Sequence, residues 1–350
     1  MKYHCHIYRQ SFRFKEPAGT SRGVYLDKNT YIVELTDDEG RRGLGECSPL
    51  PDLSCDALPD YEEILKDCCN LVCVTGRTDF DEMRPYPSMT FGLETAVRHL
   101  QAGSFRLFDT AFGRGEAGIP INGLVWMGCL DEMQRRLEEK LQQGFRCIKF
   151  KIGAIDFDDE LRLLRHVRNQ FTPDEVEIRV DANGAFTPDE APGKLEALHP
   201  FAIHSIEQPI RPTWRDDDAG HPWWDDMARI CRESPIPVAL DEELIGANRL
   251  PQKKELLDAV RPQYLVLKPS LHGGMQGVTE WIEEARKRKI GTWMTSALES
   301  NIGLNAVAHL AAKLYGDDIT MPQGLGTGAL FTENHQVPIE LRGDRMWFVG

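Results

Sequence analysis

Arg146-Cys147-Ile148-Lys149-Phe150-Lys151-Ile152-Gly153 reads as a short buried strand closed by a glycine. Side chains alternate along a strand, so Lys149 and Lys151 point the same way. Two ammonium groups side by side in a half-buried site repel, and repulsion favours loss of a proton. A lysine with a lowered pKa is a usable general base near neutral pH. Taken alone, a strand end whose lysines simply reach solvent is an equally good reading.

Working outward, the next strand-like runs also end in polar residues. One ends Arg179-Val180-Asp181-Ala182-Asn183, the next Ser205-Ile206-Glu207-Gln208-Pro209. Two more end Ala239-Leu240-Asp241-Glu242-Glu243 and Val266-Leu267-Lys268-Pro269. Strands are expected at 119–126, 146–152, 176–181, 203–208, 236–241, 263–268, 291–296 and 322–326. Helical runs lie between them, at 130–143, 156–170, 188–198, 224–233, 251–259, 275–288 and 300–314. Thr187-Pro188-Asp189-Glu190 carries the signature of a helix start. This alternation predicts an α/β fold, a TIM-like parallel barrel. An open doubly wound sheet is the alternative, but no glycine-rich phosphate fingerprint follows the first strand.

Before the barrel, residues 2–14 and 22–36 read as strands joined in hairpin fashion to Gly43-Leu44-Gly45-Glu46, with helices at 57–74 and 89–112. The expected division is an α+β domain over 1–117, a barrel over 118–328 and a strand-like tail over 329–350 that returns to the first domain. Arg211 to Asp226 carries three tryptophans and is longer than a barrel loop needs. A lid or subunit contact and simple packing on the rim explain it equally well.

Composition bounds the function. The 350 residues are 41% hydrophobic and 27% charged, ordinary for a globular enzyme. A formal net charge of −14 argues against nucleic-acid and anionic-membrane partners. The N-terminus lacks the apolar core of a signal peptide, and nine cysteines without Cys-x-x-Cys spacing suggest neither a disulfide framework nor zinc. The expectation is a cytoplasmic protein, a monomer or homo-oligomer, acting on a small-molecule carboxylate. His4-Cys5-His6 reads as structural rather than metal-binding.

Barrel enzymes keep their chemistry where strand ends converge. There Asp181, Glu207 and Asp241 would face one another, and unpaired buried anions are prohibitively costly. A hard divalent cation resolves that cost: Mg²⁺, or Mn²⁺ in its place. Lysines on both sides of a metal-bound carboxylate suit removal of the proton α to it. At an effective dielectric near 20, one extra charge about 4 Å from a unit charge gains roughly 4 kcal/mol, and a divalent ion up to roughly twice that. Enzymes need about 8 kcal/mol or more, so positioning and the lysines must supply the rest.

These residues resemble the enolase superfamily, in its muconate-cycloisomerase-like branch. The resemblance spans nearly the whole chain and implies a capping domain followed by a (β/α)₇β-barrel. It implies Mg²⁺ on Asp181, Glu207 and Asp241, with Lys151 as acid/base, Lys149 as its pKa-lowering neighbour and Lys268 on the opposite face. Further stretches are similar to the branch's dehydratases of a succinyl-bearing cyclohexadiene carboxylate: Ser21-Arg22-Gly23, Gly45-Glu46-Cys47-Ser48-Pro49-Leu50-Pro51, Ser296-Ala297-Leu298-Glu299-Ser300-Asn301-Ile302-Gly303-Leu304 and Gly324-Leu325-Gly326-Thr327-Gly328. By that likeness Arg22, Asn183, Ser296, Glu299 and Ser300 would contact substrate, some through amides at a helix N-terminus. An N-acylamino-acid racemase or dipeptide epimerase using the same lysines is the alternative. A non-catalytic ligand-binding barrel predicts broken motifs, and none is broken.

Overall fold

The computed structural model describes residues 3–20, 23–214 and 222–350. Three antiparallel strands open the chain: β1 (Tyr3–Thr20), β2 (Gly23–Asp37) and β3 (Arg42–Cys47), in that order across the sheet. Helices α1 (Tyr61–Thr75), α2 (Phe80–Met83) and α3 (Pro87–Ala102) follow. Inward-facing Val33, Leu35 and Cys47 bury a common core with Leu65, Val72, Leu93 and Ala96 of the helices. The approach of α3 to β3 demands glycine: a Cβ on Gly45 would stand 1.8 Å from the Gly92 carbonyl oxygen.

The expected helix over 89–112 stops ten residues early. Gly103 takes a left-handed φ of 66° and its N–H bonds back to the His99 carbonyl, closing the helix. The apolar residues beyond it, Leu107 and Phe112, pack into the barrel core from non-helical backbone.

The barrel begins with β4 (Ile119–Pro120) and β5 (Gly123–Val125). It continues through α4 (Leu130–Gln142), β6 (Cys147–Lys151), α5 (Phe157–Gln170), β7 (Glu177–Asp181), α6 (Ala191–Leu198) and β8 (Ser205–Glu207). A two-residue ladder, β9 (Thr213–Trp214) with β10 (Pro222–Trp223), interrupts it. Then come α7 (Asp225–Glu233), β11 (Val238–Leu240), α8 (Leu250–Val260), β12 (Tyr264–Leu267), α9 (Gly274–Lys287), β13 (Gly291–Met294) and α10 (Asn301–Tyr315). The parallel sheet runs β5-β6-β7-β8-β11-β12-β13. The expected strand over 322–326 is reduced to single bridges, Ile121 to Gln323 and Thr295 to Gly324, which close the barrel as a short eighth stave.

Alternation decides which way each side chain faces. Ile148, Phe150, Ile178, Val180, Ile206, Leu240, Leu265 and Leu267 join one cluster with the surrounding helices. Their neighbours Lys149, Lys151, Arg179, Asp181 and Glu207 therefore point into the barrel. Below the polar ring, Arg179 plugs the interior with its guanidinium 4.5 Å from the Trp293 ring.

The tail returns to the first domain only at its start. Phe331 bridges to Phe14 of β1, but β14 (Ile339–Arg342) and β15 (Arg345–Phe348) form a hairpin whose partner is β4, not the N-terminal sheet. Met346 and Phe348 are buried in the barrel's own core, and that burial sets the choice. Of the tryptophan-rich stretch, 215–221 lies outside the described residues, and Trp224 packs against the barrel core.

Candidate active site

Three adjacent parallel strands set Lys151, Asp181 and Glu207 in one row, each directly opposite the next. Asp241 and Lys268 follow the last residues of β11 and β12 and complete the ring. All five are buried, as is Lys149.

The acids and amines pair closely. Lys149 Nζ donates to Glu207 Oε2 at 2.5 Å and stands 2.8 Å from Asp181 Oδ2. Lys151 Nζ reaches Asp181 Oδ2 at 2.6 Å and Asn183 Oδ1 at 2.7 Å. Lys268 Nζ pairs with Asp241 Oδ2. Burial disfavours the Lys149 ammonium, but Asp181 and Glu207 outweigh it and hold its pKa above the ordinary lysine value. At Lys149 itself the acids of the next two strands, β7 and β8, dominate. Burial likewise opposes the Lys268 charge and Asp241 restores it.

The ring carries more acid than base. Burial, with Asp181 and Asp241 close by, pushes Glu207 up to about 8. Burial and then Asp241 push Glu242 up to about 7. Buried Glu207 Oε1, Asp241 Oδ1 and Glu242 Oε2 have no hydrogen-bond partner among the described residues. Orphaned hard oxygens in a ring short of positive charge fit a divalent cation. Among the described residues no group of three acidic, histidine or cysteine side chains is already gathered around one point. Each acid of the set instead pairs with a lysine: Asp181 and Glu207 with Lys149, Asp181 also with Lys151, and Asp241 with Lys268.

A second tier holds this ring. Gln208 is fully buried; its amide donates to Glu243 Oε2 at 3.0 Å, and its oxygen accepts from the Asp241 and Glu243 amides at 3.2 Å. His272 Nδ1 accepts from the Lys268 amide at 3.0 Å. Asn183 and Gln208 take left-handed φ angles of 44° and 41°, rare for side-chain-bearing residues and held here by these contacts. Asn183 links Lys151 to Glu242, donating to Glu242 Oε1 at 3.1 Å.

A cavity opens over the ring. Lys149, Lys151, Lys268, Asn183, Glu242 and Ser296 line its polar side. Tyr25, Leu50, Leu53, Trp126 and Leu298 line its apolar side. Glu242 carried no role in the sequence reading; in the run Asp241-Glu242-Glu243 nothing marks which acid faces inward. Trp126 was equally silent, one aromatic residue past a three-residue strand.

Two expected substrate contacts are not among the cavity lining. Glu299 accepts from Ser270 Oγ and Ser296 Oγ at 2.5 Å each and from the Ala297 amide at 2.7 Å. Ser300 caps α10 and bonds Glu46 through its amide (2.9 Å) and hydroxyl (2.5 Å). The helix N-terminus expected to hold a substrate anion already holds Glu46. Arg22 lies outside the described residues.

Comparison with known proteins agrees along the chain. A family described as "MenC, N-terminal domain" matches residues 4–100, and "Enolase C-terminal domain-like" matches residues 132–328. The o-succinylbenzoate synthase of Desulfotalea psychrophila is 45% identical, covering 93% of this chain and 94% of its own. The crystal structure of MenC from that organism superposes with a TM-score of 0.81 at 39% identity, covering 99% of this chain and 100% of that one. A substrate-liganded L-Ala-D/L-Glu epimerase from Bacillus subtilis shares the fold, with a TM-score of 0.83 at 19% identity over 99% and 96% of the two chains. The chain therefore belongs to the o-succinylbenzoate synthase family of the enolase superfamily.

Proposed function

We propose that this enzyme dehydrates 2-succinyl-6-hydroxy-2,4-cyclohexadiene-1-carboxylate to 2-succinylbenzoate, a step of menaquinone biosynthesis, in the cytoplasm. The observation that carries the reading is the placement of Lys151 and Lys268 on one cavity, on strands two apart from Glu207 in opposite directions. Amines on both sides of an acid-rich floor suit abstraction of a proton α to a carboxylate.

Lys151 takes the α-proton and returns it to the departing hydroxyl. The C–H and C–O bonds break, the ring gains its third double bond and water leaves. Asn183 steadies Lys151 through its side-chain oxygen. Lys149 shares its one positive charge between Asp181 and Glu207. Lys268 stays protonated and faces the ring as a cation–π partner. Asp181, Glu207 and Asp241 would hold Mg²⁺, which when bound offsets the charge that builds on the substrate carboxylate.

The test is to feed the purified enzyme the cyclohexadiene acid and, separately, N-succinylamino acids. Loss of diene absorbance supports the dehydratase. Change of optical rotation with the second substrate and no diene loss would assign a racemase instead.

A further inference from the structure

Two stretches that the proton chemistry leaves unused, 45–51 and 296–304, meet across the seam between the N-terminal domain and the barrel. Glu46 of β3 reaches α10, where Oε1 accepts from the Ser300 amide at 2.9 Å and Oε2 accepts from the Gly303 amide at 3.0 Å. Residue 303 must be glycine for this: a Cβ there would stand 2.6 Å from Glu299 Cβ and 3.0 Å from Glu46 Oε2. Next in sequence to Ser300, Glu299 ties down Ser296 and the Ala297 amide. Lys28 completes the group at 3% exposure, with Nζ 2.6 Å from the Pro49 carbonyl and 3.2 Å from that of Asn29. Burial lowers its pKa to about 8, against the opposing pull of Glu46 and then Glu299.

Two of the apolar residues lining the cavity, Leu50 and Leu298, hang from this seam. Leu50 comes from the loop that Lys28 tethers, Leu298 from the loop that Glu299 tethers. They belong to one small cluster with Leu271 and Phe331, separate from the barrel core. Leu298 holds a left-handed φ of 67°, a costly conformation fixed by its amide bond to Ser296 Oγ at 3.1 Å.

We propose that Lys28, Glu46 and Glu299 are positioning residues for the substrate: they set the gap between the Leu50 and Leu298 walls, and through it the affinity for the substrate's ring, without touching the proton-transfer step. The proposal rests on the dehydratase reading for its substrate.

Steady-state kinetics of Lys28→Met on the cyclohexadiene acid tests it. A rise in KM of about tenfold or more with kcat within about threefold is expected, because the wall shifts while Lys151 stays in place. A folded Lys28→Met enzyme with unchanged KM overturns the proposal, as does a fall in kcat at constant KM, the mark of a merely less folded sample. Should Lys28→Met not fold, Ser270→Ala removes one bond to Glu299 and no charge. There a KM rise of about threefold at constant kcat supports the proposal, and an unchanged KM overturns it. A parent enzyme that leaves the diene untouched would sink the dehydratase reading itself, a different result from an active parent with an indifferent variant.

Discussion

Two buried charge clusters lie close together in this molecule, and they are built differently. In the seam, every carboxylate oxygen of Glu46 and Glu299 accepts a hydrogen bond, and the Lys28 ammonium has two carbonyl partners. In the barrel mouth, Glu207, Asp241 and Glu242 each keep one buried oxygen without a partner among the described residues. A satisfied cluster resists change and holds geometry. An unsatisfied one stores a demand that a ligand can meet. On the proposed function, the same residue types serve as scaffold in one place and as reagent in the other.

The comparison is broken most directly by removing the ligand. Chelation should abolish turnover, and added Mg²⁺ should restore it; a rate that persists with all divalent ions removed would mean the orphaned oxygens need no cation. Next, Lys151→Ala should lower kcat by about 10³-fold or more while calorimetry still detects metal binding. Residual turnover near the parent rate would move the base to another residue.

A smaller effect sharpens the scaffold side. Glu94 of α3 accepts from the Met275 and Gln276 amides at 2.5 and 3.2 Å, capping α9 as Glu46 caps α10. Burial raises its pKa from 4.5 to about 7, against those two amides. Because the folded value lies above the unfolded one, this group favours folding at low pH and loses that contribution as pH rises through 7. Glu94→Gln should therefore flatten the decline in melting temperature between pH 5 and pH 8, within about 4 °C. An unchanged slope would assign the pH dependence elsewhere. At the bottom of the scale, the exposed pair Lys66–Glu62 at 2.9 Å should be expendable, with Glu62→Gln moving the melting temperature by about 1 °C or less. A larger shift would show that charge pairs matter here even in full water.

The barrel was legible in the sequence because most outward strand positions are apolar while acids and lysines fall at successive strand ends. Lys151, Asp181, Glu207, Asp241 and Lys268 stood out by falling at successive strand ends. What stayed hidden depended on contacts between distant segments. Nothing local to Ser300 shows that Glu46, 254 positions away, occupies its helix end. The tail residue Met346 reads as a strand, but its partner Ile119 is chosen by shared burial in the barrel core. Gly103 is a stop signal visible in the sequence, yet the apolar run beyond it suggested that the helix went on.

The two glutamates at helix ends carry a further consequence. The N-terminal domain does more than shade the cavity: it lends a carboxyl group to each of two barrel helices, α9 and α10. A barrel expressed alone would leave those amide ends facing water. In a chimera, a foreign cap would have to bring carboxylates at the positions of both Glu46 and Glu94. Recombination between relatives is then constrained at this joint by two residues, and the pair offers a simple filter for which caps and barrels can be exchanged.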